Sequence, residues 1–264
     1  MEIIGYVMAV LVGISLGMIG SGGSILTVPI LVYIMGVSPV LATAYSLFIV
    51  GSTALVGGIQ SARLRMVDFR TVLIFGAPSI AAVYLTRRWL VPLIPEVLWR
   101  AGDFTLTKPM ALMLLFAGVM IAAAVSMIRP GKAEREEDTT IHYHYPMILL
   151  EGTVVGVLTG LVGAGGGFLI IPALVLLARM PMRKAVGTSL FIIAAKSLIG
   201  FIGDLQGGEV IDWRLLGIFT ALAVGGIFAG LFFSKRVPGG KLRRAFGWFV
   251  LVMGAYIVFK ELWV

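Results

Sequence analysis

Two glycine-rich turns are the segments of this sequence best suited to bind a small ligand. GSGGS begins at Gly20 and GAGGG at Gly163, and each leads into a short apolar stretch. The N–H groups at a helix start are unpaired and partly positive, and glycine lets an anion approach them closely. We therefore predict an anion site at these turns. The predicted ligands are Gly20, Ser21, Gly22, Gly23, Ser24, Gly163, Gly165, Gly166 and Gly167.

A stripe of small and polar residues follows each turn on one face of a predicted helix. Lys196 lies near the middle of its apolar stretch, where an ammonium is costly unless it is neutralised. Two interpretations stay open: Lys196 attracts the anion, or it snorkels or pairs with Asp204. Further predicted ligands are Ser46, Thr188 and Ser189. The stripes are Ser189, Lys196, Gly200 and Gly203, and Ser46, Thr53, Gly57 and Gln60.

Several chemistries have no matching residues. The chain has no cysteine, and its two histidines, His142 and His144, are two positions apart and would diverge on a helix. No cluster of histidines and carboxylates occurs within an apolar stretch, which disfavours a metal or cation site and an intramembrane enzyme. Glu151 is either an interfacial carboxylate or a proton carrier. We predict no catalytic residue, no metal and no cofactor.

The composition is that of a membrane protein. Of 264 residues, 59% are hydrophobic and 13% are charged, and the mean hydropathy is +1.03. A soluble domain carries about twice that charged fraction. The basic residues behind the net charge of +8 lie in short clusters between apolar stretches. Loop charges of membrane proteins are distributed in this way, so we predict no binding to nucleic acid.

The apolar residues form ten stretches, and the predicted fold is all-α and integral to the membrane. Eight stretches are long enough, or nearly so, to cross a bilayer core of roughly 30 Å. The stretches 24–35 and 168–178 are too short, because a dozen helical residues reach only about 18 Å. We predict eight long spans and two half-helices, each following a glycine-rich turn.

The two halves of the sequence are related by an internal repeat. A shift of 143 residues places GSGGSILTVPILV, from Gly20, on GAGGGFLIIPALV, from Gly163, and ATAYSLFIV on AVGTSLFII. After one inserted residue, Asp68 aligns with Asp212. Shared apolar composition does not place glycine, proline and serine in register, so we infer a duplication.

A hydrophilic linker, PGKAEREEDTTIHYHY, separates the repeats at residues 130–145. We interpret its charges as those of a solvated loop. The predicted domains are a first transmembrane repeat, 1–129, and a second, 146–264.

Loop charges predict that the two repeats are inverted. The positive-inside rule places basic loops in the cytoplasm, which puts the acidic loop 204–212 and both termini outside. The basic loops are 179–184 and 235–244 in the second half, and 61–70 and 129–135 in the first. Equivalent loops thus lie on opposite sides. The exception is 86–108, predicted outside although it contains Arg87, Arg88, Arg100 and Lys108.

Three motifs together resemble the TauE/SafE family of sulfite and organosulfonate exporter-like permeases. They are GxGGG with a following proline, the A-x-G-T-S-L block from Ala185 to Leu190, and the glycine-bearing segment that ends at Asp204. The resemblance covers essentially the whole chain and implies an inner-membrane permease for sulfite, sulfoacetate or related sulfonates. The first half departs from the second, with Ser-Gly-Gly-Ser for Ala-Gly-Gly-Gly and Ala-Tyr-Ser for Gly-Thr-Ser.

The resulting prediction is a multi-pass secondary transporter of small anions in the inner (plasma) membrane. Alternating access would occur around a midplane site, where both half-helix N-termini contact the anion. The expected partners are the anion, the lipid bilayer and a coupling ion, for which a proton and sodium are the candidates. Two alternatives stay open: a cation or metal permease, and a membrane assembly factor that transports nothing.

Overall fold

The structure is a computed structural model. It describes residues 2–20, 23–101, 104–128, 145–163, 170–171, 174, 180, 182–205, 211–233 and 239–263. In this part of the chain the main helices are α1 (Glu2–Ile19), α2 (Ser24–Pro29), α3 (Pro39–Arg63), α4 (Phe69–Leu85), α5 (Lys108–Ile128), α6 (Tyr145–Val162), α7 (Met182–Leu205), α8 (Trp213–Phe233) and α9 (Gly239–Trp263).

Helix α2 is short and buried, as predicted for the stretch 24–35. It continues after Pro29 as a π-helical turn, Ile30–Ile34, so the whole element reaches about 16 Å. In the corresponding stretch 168–178, Ile170, Ile171 and Leu174 are helical and buried. The rest of that stretch and the linker up to residue 144, with His142 and His144, lie outside the described residues.

The outer surface of the bundle is apolar, as a lipid-facing surface must be. Large side chains such as Leu73, Val252 and Phe259 are more than half exposed. Among the described residues, five helices are long and apolar enough to cross a membrane: Pro39–Arg63, Phe69–Leu93, Lys108–Val125, Lys184–Leu205 and Trp213–Phe233. The chain is therefore a helical, multi-pass membrane protein, and the count of eight spans stays a prediction.

The segment 86–108 differs from the expected charged loop. Helix α4 continues as a π-helical turn, Thr86–Leu90, and a last turn, Val91–Leu93, before an antiparallel hairpin of β1 (Val97–Ala101) and β2 (Phe104–Thr107). Arg87 is buried within the bundle, and Lys108 begins α5 with Glu96 3.8 Å from its ammonium. Two of the four cations assigned to this loop are thus buried.

Helix packing follows the internal repeat. The repeat relates α1 to α6, α3 to α7, α4 to α8 and α5 to α9. Helix α1 packs on α8, and its equivalent α6 packs on α4; likewise α3 packs on α8, and α7 on α4. The remaining large contacts, α3 with α7 and α5 with α9, join equivalent helices. Exchanging the two halves therefore leaves the packing pattern unchanged.

The directions of these contacts follow from individual glycines. Gly51 of α3 lies against Leu198 of α7, and Gly58 lies against Phe191, so the two helices are antiparallel. In contrast, Gly13 and Gly17 of α1 lie against Ala223 and Ile227 of α8, so these helices are parallel. Gly156 and Gly160 of α6 repeat this parallel contact with Ser79 and Val83 of α4.

Replacing Gly226 by alanine should destabilise the fold by about 1–3 kcal/mol, because the added methyl would overlap the carbonyl oxygen of Val10. The preceding residue supplies a matched control. A methyl at Gly225 meets nothing within 4 Å, so Gly225→Ala should be neutral or slightly stabilising. The apparent Tm in detergent measures both effects, and equal values for the two variants would contradict the close α1–α8 packing.

Candidate functional site

Both glycine-rich turns begin with a glycine in the left-handed conformation. Gly20 has φ +78° and ends α1, and Gly163 has φ +72° and ends α6. Their N–H groups donate to carbonyl oxygens one turn earlier, on Leu16 at 2.7 Å and on Thr159 at 2.8 Å. Glycine reaches this backbone conformation without the strain that a Cβ would add.

Each of these glycines packs on the opposite repeat. A methyl at Gly20 would crowd Val186 of α7, and one at Gly163 would overlap Thr43 of α3. Val186 and Thr43 are equivalent in the repeat, so the two contacts are reciprocal. Each turn is therefore held at the interface between the repeats.

The remaining predicted residues of the turns divide into two groups. Gly23 packs on α1, close to the Val12 carbonyl and Ser15, and Ser24 is buried at the start of α2. The others, Ser21, Gly22, Gly165, Gly166 and Gly167, lie outside the described residues.

The two glycine-rich turns start at opposite ends of the α3–α7 pair. Gly20 contacts Val186, near the start of α7. Gly163 contacts Thr43, and Arg87 donates hydrogen bonds to both Thr43 and Asp204, so Gly163 lies near the end of α7. Val186 and Asp204 are 18 residues apart on α7, or about 27 Å. A small anion is much shorter, so it does not contact Gly20 and Gly163 together.

The two predicted serines of the polar stripes, Ser46 and Ser189, lie near different turns. Ser189 is one turn along α7 from Val186, and its hydroxyl donates to the Val186 carbonyl at 2.8 Å. Ser46 is one turn along α3 from Thr43, on the side of the Gly163 turn. Its buried hydroxyl oxygen has no hydrogen-bond partner among the described residues. Ser46 therefore has an unused buried hydroxyl in the described part of the chain.

Thr188 has a structural partner. Its hydroxyl oxygen accepts a hydrogen bond from the Asp68 N–H at 3.0 Å, at the start of α4. The Tyr45 hydroxyl oxygen likewise accepts a hydrogen bond from the Asp212 N–H, at 2.7 Å, at the start of α8. Tyr45 and Thr188 are equivalent in the repeat. Both repeats therefore make this contact, although the first has Ala-Tyr-Ser where the second has Gly-Thr-Ser.

We expect Thr188→Val to lower the stability of the protein by about 1 kcal/mol, because the partly buried Asp68 N–H loses its acceptor, and Thr188→Ser to retain that stability. Tyr45→Phe should have a similar effect at Asp212. Thermal unfolding in detergent measures the change. If Thr188→Val instead lost anion binding at an unchanged Tm, Thr188 would be a ligand.

Lys196 is fully buried on α7. Its ammonium donates to the Thr159 hydroxyl oxygen at 3.0 Å, and that hydroxyl donates in turn to the Val155 carbonyl at 2.6 Å. No carboxylate among the described residues lies within 4 Å of the ammonium. The expected alternative of a pair with Asp204 is therefore wrong, since Asp204 pairs with another residue.

That residue is Arg87, which we did not predict as part of the site. It is 2% exposed, and its Nη1 donates to the Thr43 hydroxyl at 2.9 Å and lies 3.4 Å from Asp204 Oδ1. Its Nε and Nη2 are buried without a hydrogen-bond partner in the described part of the chain. The sequence feature that could have indicated a buried Arg87 is its position inside an apolar stretch that continues to residue 94.

Arg87 and Lys196 converge on the last turn of α6, Thr159–Gly163. Lys196 binds Thr159, and Arg87 binds Thr43, against which Gly163 packs. Gly160, between them, packs on Thr86, the neighbour of Arg87. We call Thr43, Arg87, Thr159, Lys196 and Asp204 the cationic cluster. It places two buried cations and one carboxylate beside the second glycine-rich turn.

Comparison with known proteins places the chain among membrane transporters. The family model described as "Sulfite exporter TauE/SafE" matches residues 6–257. A "Probable membrane transporter protein" of Xylella fastidiosa is 29% identical over 257 residues, which cover 95% of this chain and 92% of that protein. The "Probable membrane transporter protein YunE" of Bacillus subtilis is 28% identical over 248 residues, covering 85% and 86%. No solved structure matches the chain significantly.

Proposed function

The chain belongs to the sulfite exporter TauE/SafE family, and from this premise we propose that it is a secondary transporter of small anions. Family and relatives make it a membrane transporter and not an enzyme. The proposed substrates are sulfite, organosulfonates and related sulfur oxyanions.

The observation that supports an anion is the charge of the cationic cluster. Arg87 and Lys196 are buried, and Asp204 is the one carboxylate paired with either of them in the described residues. A buried cation without a counter-charge is costly in a membrane protein, and such residues usually mark a substrate or ion path. An anion bound here would supply the missing negative charge and accept hydrogen bonds from the unused N–H groups of Arg87.

The cluster lies between the two repeats. Thr43 and Arg87 belong to the first repeat, and Thr159, Lys196 and Asp204 to the second. A movement of one repeat against the other would therefore open or close the site, as alternating access requires. In this proposal the anion binds at the Gly163 turn, with Ser46 and the start of the following half-helix as further ligands, and the Gly20 turn lies at the other end of the path.

The packing supports an inverted relation between the repeats. Rotation about a twofold axis perpendicular to two helices makes them antiparallel, whereas an axis along them makes them parallel. The equivalent helices α3 and α7 are antiparallel, which fits an axis in the membrane plane. Together with the loop charges, we propose an inner-membrane protein with both termini outside.

Uptake by proteoliposomes containing the purified protein tests the function. We expect saturable uptake of radiolabelled sulfite or an alkanesulfonate that unlabelled anion inhibits. Imposed pH and sodium gradients would identify the coupling ion. Uptake of a cation but of no anion would overturn the proposal in favour of a cation permease, and absence of any flux would favour an assembly factor.

A further inference from the structure

Arg87 has one unused edge. The side of a guanidinium formed by Nε and Nη2 presents two parallel N–H groups, which match two oxygens of one oxyanion. In Arg87 this edge has no partner in the described residues, whereas Nη1 is bound to Thr43 and Asp204. An occupant that fills this edge must offer two neighbouring oxygens.

The charge of the cationic cluster limits the charge of that occupant. The Arg87 guanidinium and the Lys196 ammonium carry two positive charges, and Asp204 carries one negative charge. The Asp204 carboxylate stays 3.4 Å from Arg87, and the nearest described polar partner of Lys196 is the neutral Thr159. One negative charge therefore neutralises the cluster, and a second would remain unpaired in a buried, low-dielectric environment.

The equivalent positions at the Gly20 turn carry no charge. The positions equivalent to Arg87, Lys196 and Asp204 are Leu231, Thr53 and Ser61. Those equivalent to Thr43 and Thr159 are Val186 and Leu16. Among the described residues, charged groups thus lie beside the Gly163 turn and not beside the Gly20 turn, so the charged site occurs once although the helix packing is repeated.

We propose that the cationic cluster selects singly charged oxyanions, such as hydrogensulfite and alkanesulfonates, over doubly charged ones such as sulfate. This rests on the proposed function and specifies its substrate by charge. Two sulfonate oxygens bind the free edge of Arg87, and Lys196 contributes its positive charge. Sulfate offers the same oxygens but brings one charge too many. Sulfoacetate, with a sulfonate and a carboxylate, is also doubly charged, so this proposal disfavours it among the substrates that the family resemblance implies.

Binding of methanesulfonate and sulfate to the purified protein, by isothermal titration at matched ionic strength, tests the selectivity. We expect methanesulfonate to bind at least about tenfold more tightly than sulfate. Asp204→Asn raises the net charge of the cluster by one, so the preference should shift toward sulfate by about tenfold or more. Asp212→Asn, the same change outside the cluster, should leave the ratio unaltered.

The outcomes separate the inference from the proposed function. If neither anion binds and no anion is taken up by proteoliposomes, the transport proposal itself fails. If anions bind and are transported but sulfate binds as tightly as methanesulfonate, or Asp204→Asn leaves the ratio unmoved, only the charge selection is wrong. Should Asp204→Asn fail to fold, Lys196→Met gives the opposite test. It brings the net charge of the cluster to zero and should weaken methanesulfonate binding at least about tenfold; unchanged binding would overturn the inference.

Discussion

Replacing Lys196 by methionine is expected to abolish anion uptake while raising the stability of the protein without substrate. Methionine has a similar length, and it removes a fully buried ammonium that has no described carboxylate partner. A lysine near the centre of a span costs about 2.5–3.5 kcal/mol, so the apparent Tm should rise by several degrees. The Thr159 hydroxyl keeps its own bond to Val155. Thermal unfolding in detergent and proteoliposome uptake measure the two effects.

Lys184→Met is the matched control, because Lys184 is exposed on the same helix. It should change neither uptake nor Tm appreciably. A lower Tm for Lys196→Met would show that Lys196 stabilises the fold through Thr159. Near-normal uptake in that variant would remove Lys196 from the site.

Replacing Arg87 by glutamine should also abolish uptake, but with the opposite effect on stability. The substitution leaves the Asp204 carboxylate, which is 13% exposed, without its cation. Breaking a buried ion pair on one side costs about 3–5 kcal/mol. The Tm should therefore fall markedly, in contrast to Lys196→Met. Arg100→Gln, at an exposed position of strand β1, should retain both uptake and stability.

A double variant separates the structural and binding roles of Arg87. Arg87→Gln with Asp204→Asn also removes the carboxylate that has lost its guanidinium, so it should recover most of the lost stability. It should still not bind the anion, because the guanidinium is absent. Recovery of uptake together with stability would mean that Arg87 acts only by holding Asp204. Arg87→Lys keeps the charge without the two parallel N–H groups and should give weak, measurable uptake.

The sequence predicts much of the fold because its signals are local or repeated. The length of the stretch 24–35 is enough to predict a short helix, and α2 with its π-helical turn ends at Ile34. Gly20 and Gly163 stand out because both copies occur in register, and both adopt the left-handed conformation. The hairpin of β1 and β2 was not predicted. Its strands lie between two predicted spans, in the segment that we interpreted as a charged loop.

The cationic cluster depends on contacts between distant residues, which the sequence does not specify. Arg87 lies near the end of an apolar stretch, where a basic residue usually indicates an interfacial loop. It is buried because α4 continues past it and packs on α7, which places Asp204 and Thr43 beside it. Lys196 was recognised by its midspan position, but its partner Thr159 lies 37 residues earlier on another helix.

The most direct test is to locate the anion. A crystal structure with a bromine-bearing alkanesulfonate would reveal the ligand by the anomalous signal of bromine. We expect the sulfonate within hydrogen-bonding distance of Arg87 Nε and Nη2, beside the Gly163 turn. A sulfonate bound instead at the Gly20 turn, or away from both buried cations, would contradict the cationic cluster as the substrate site.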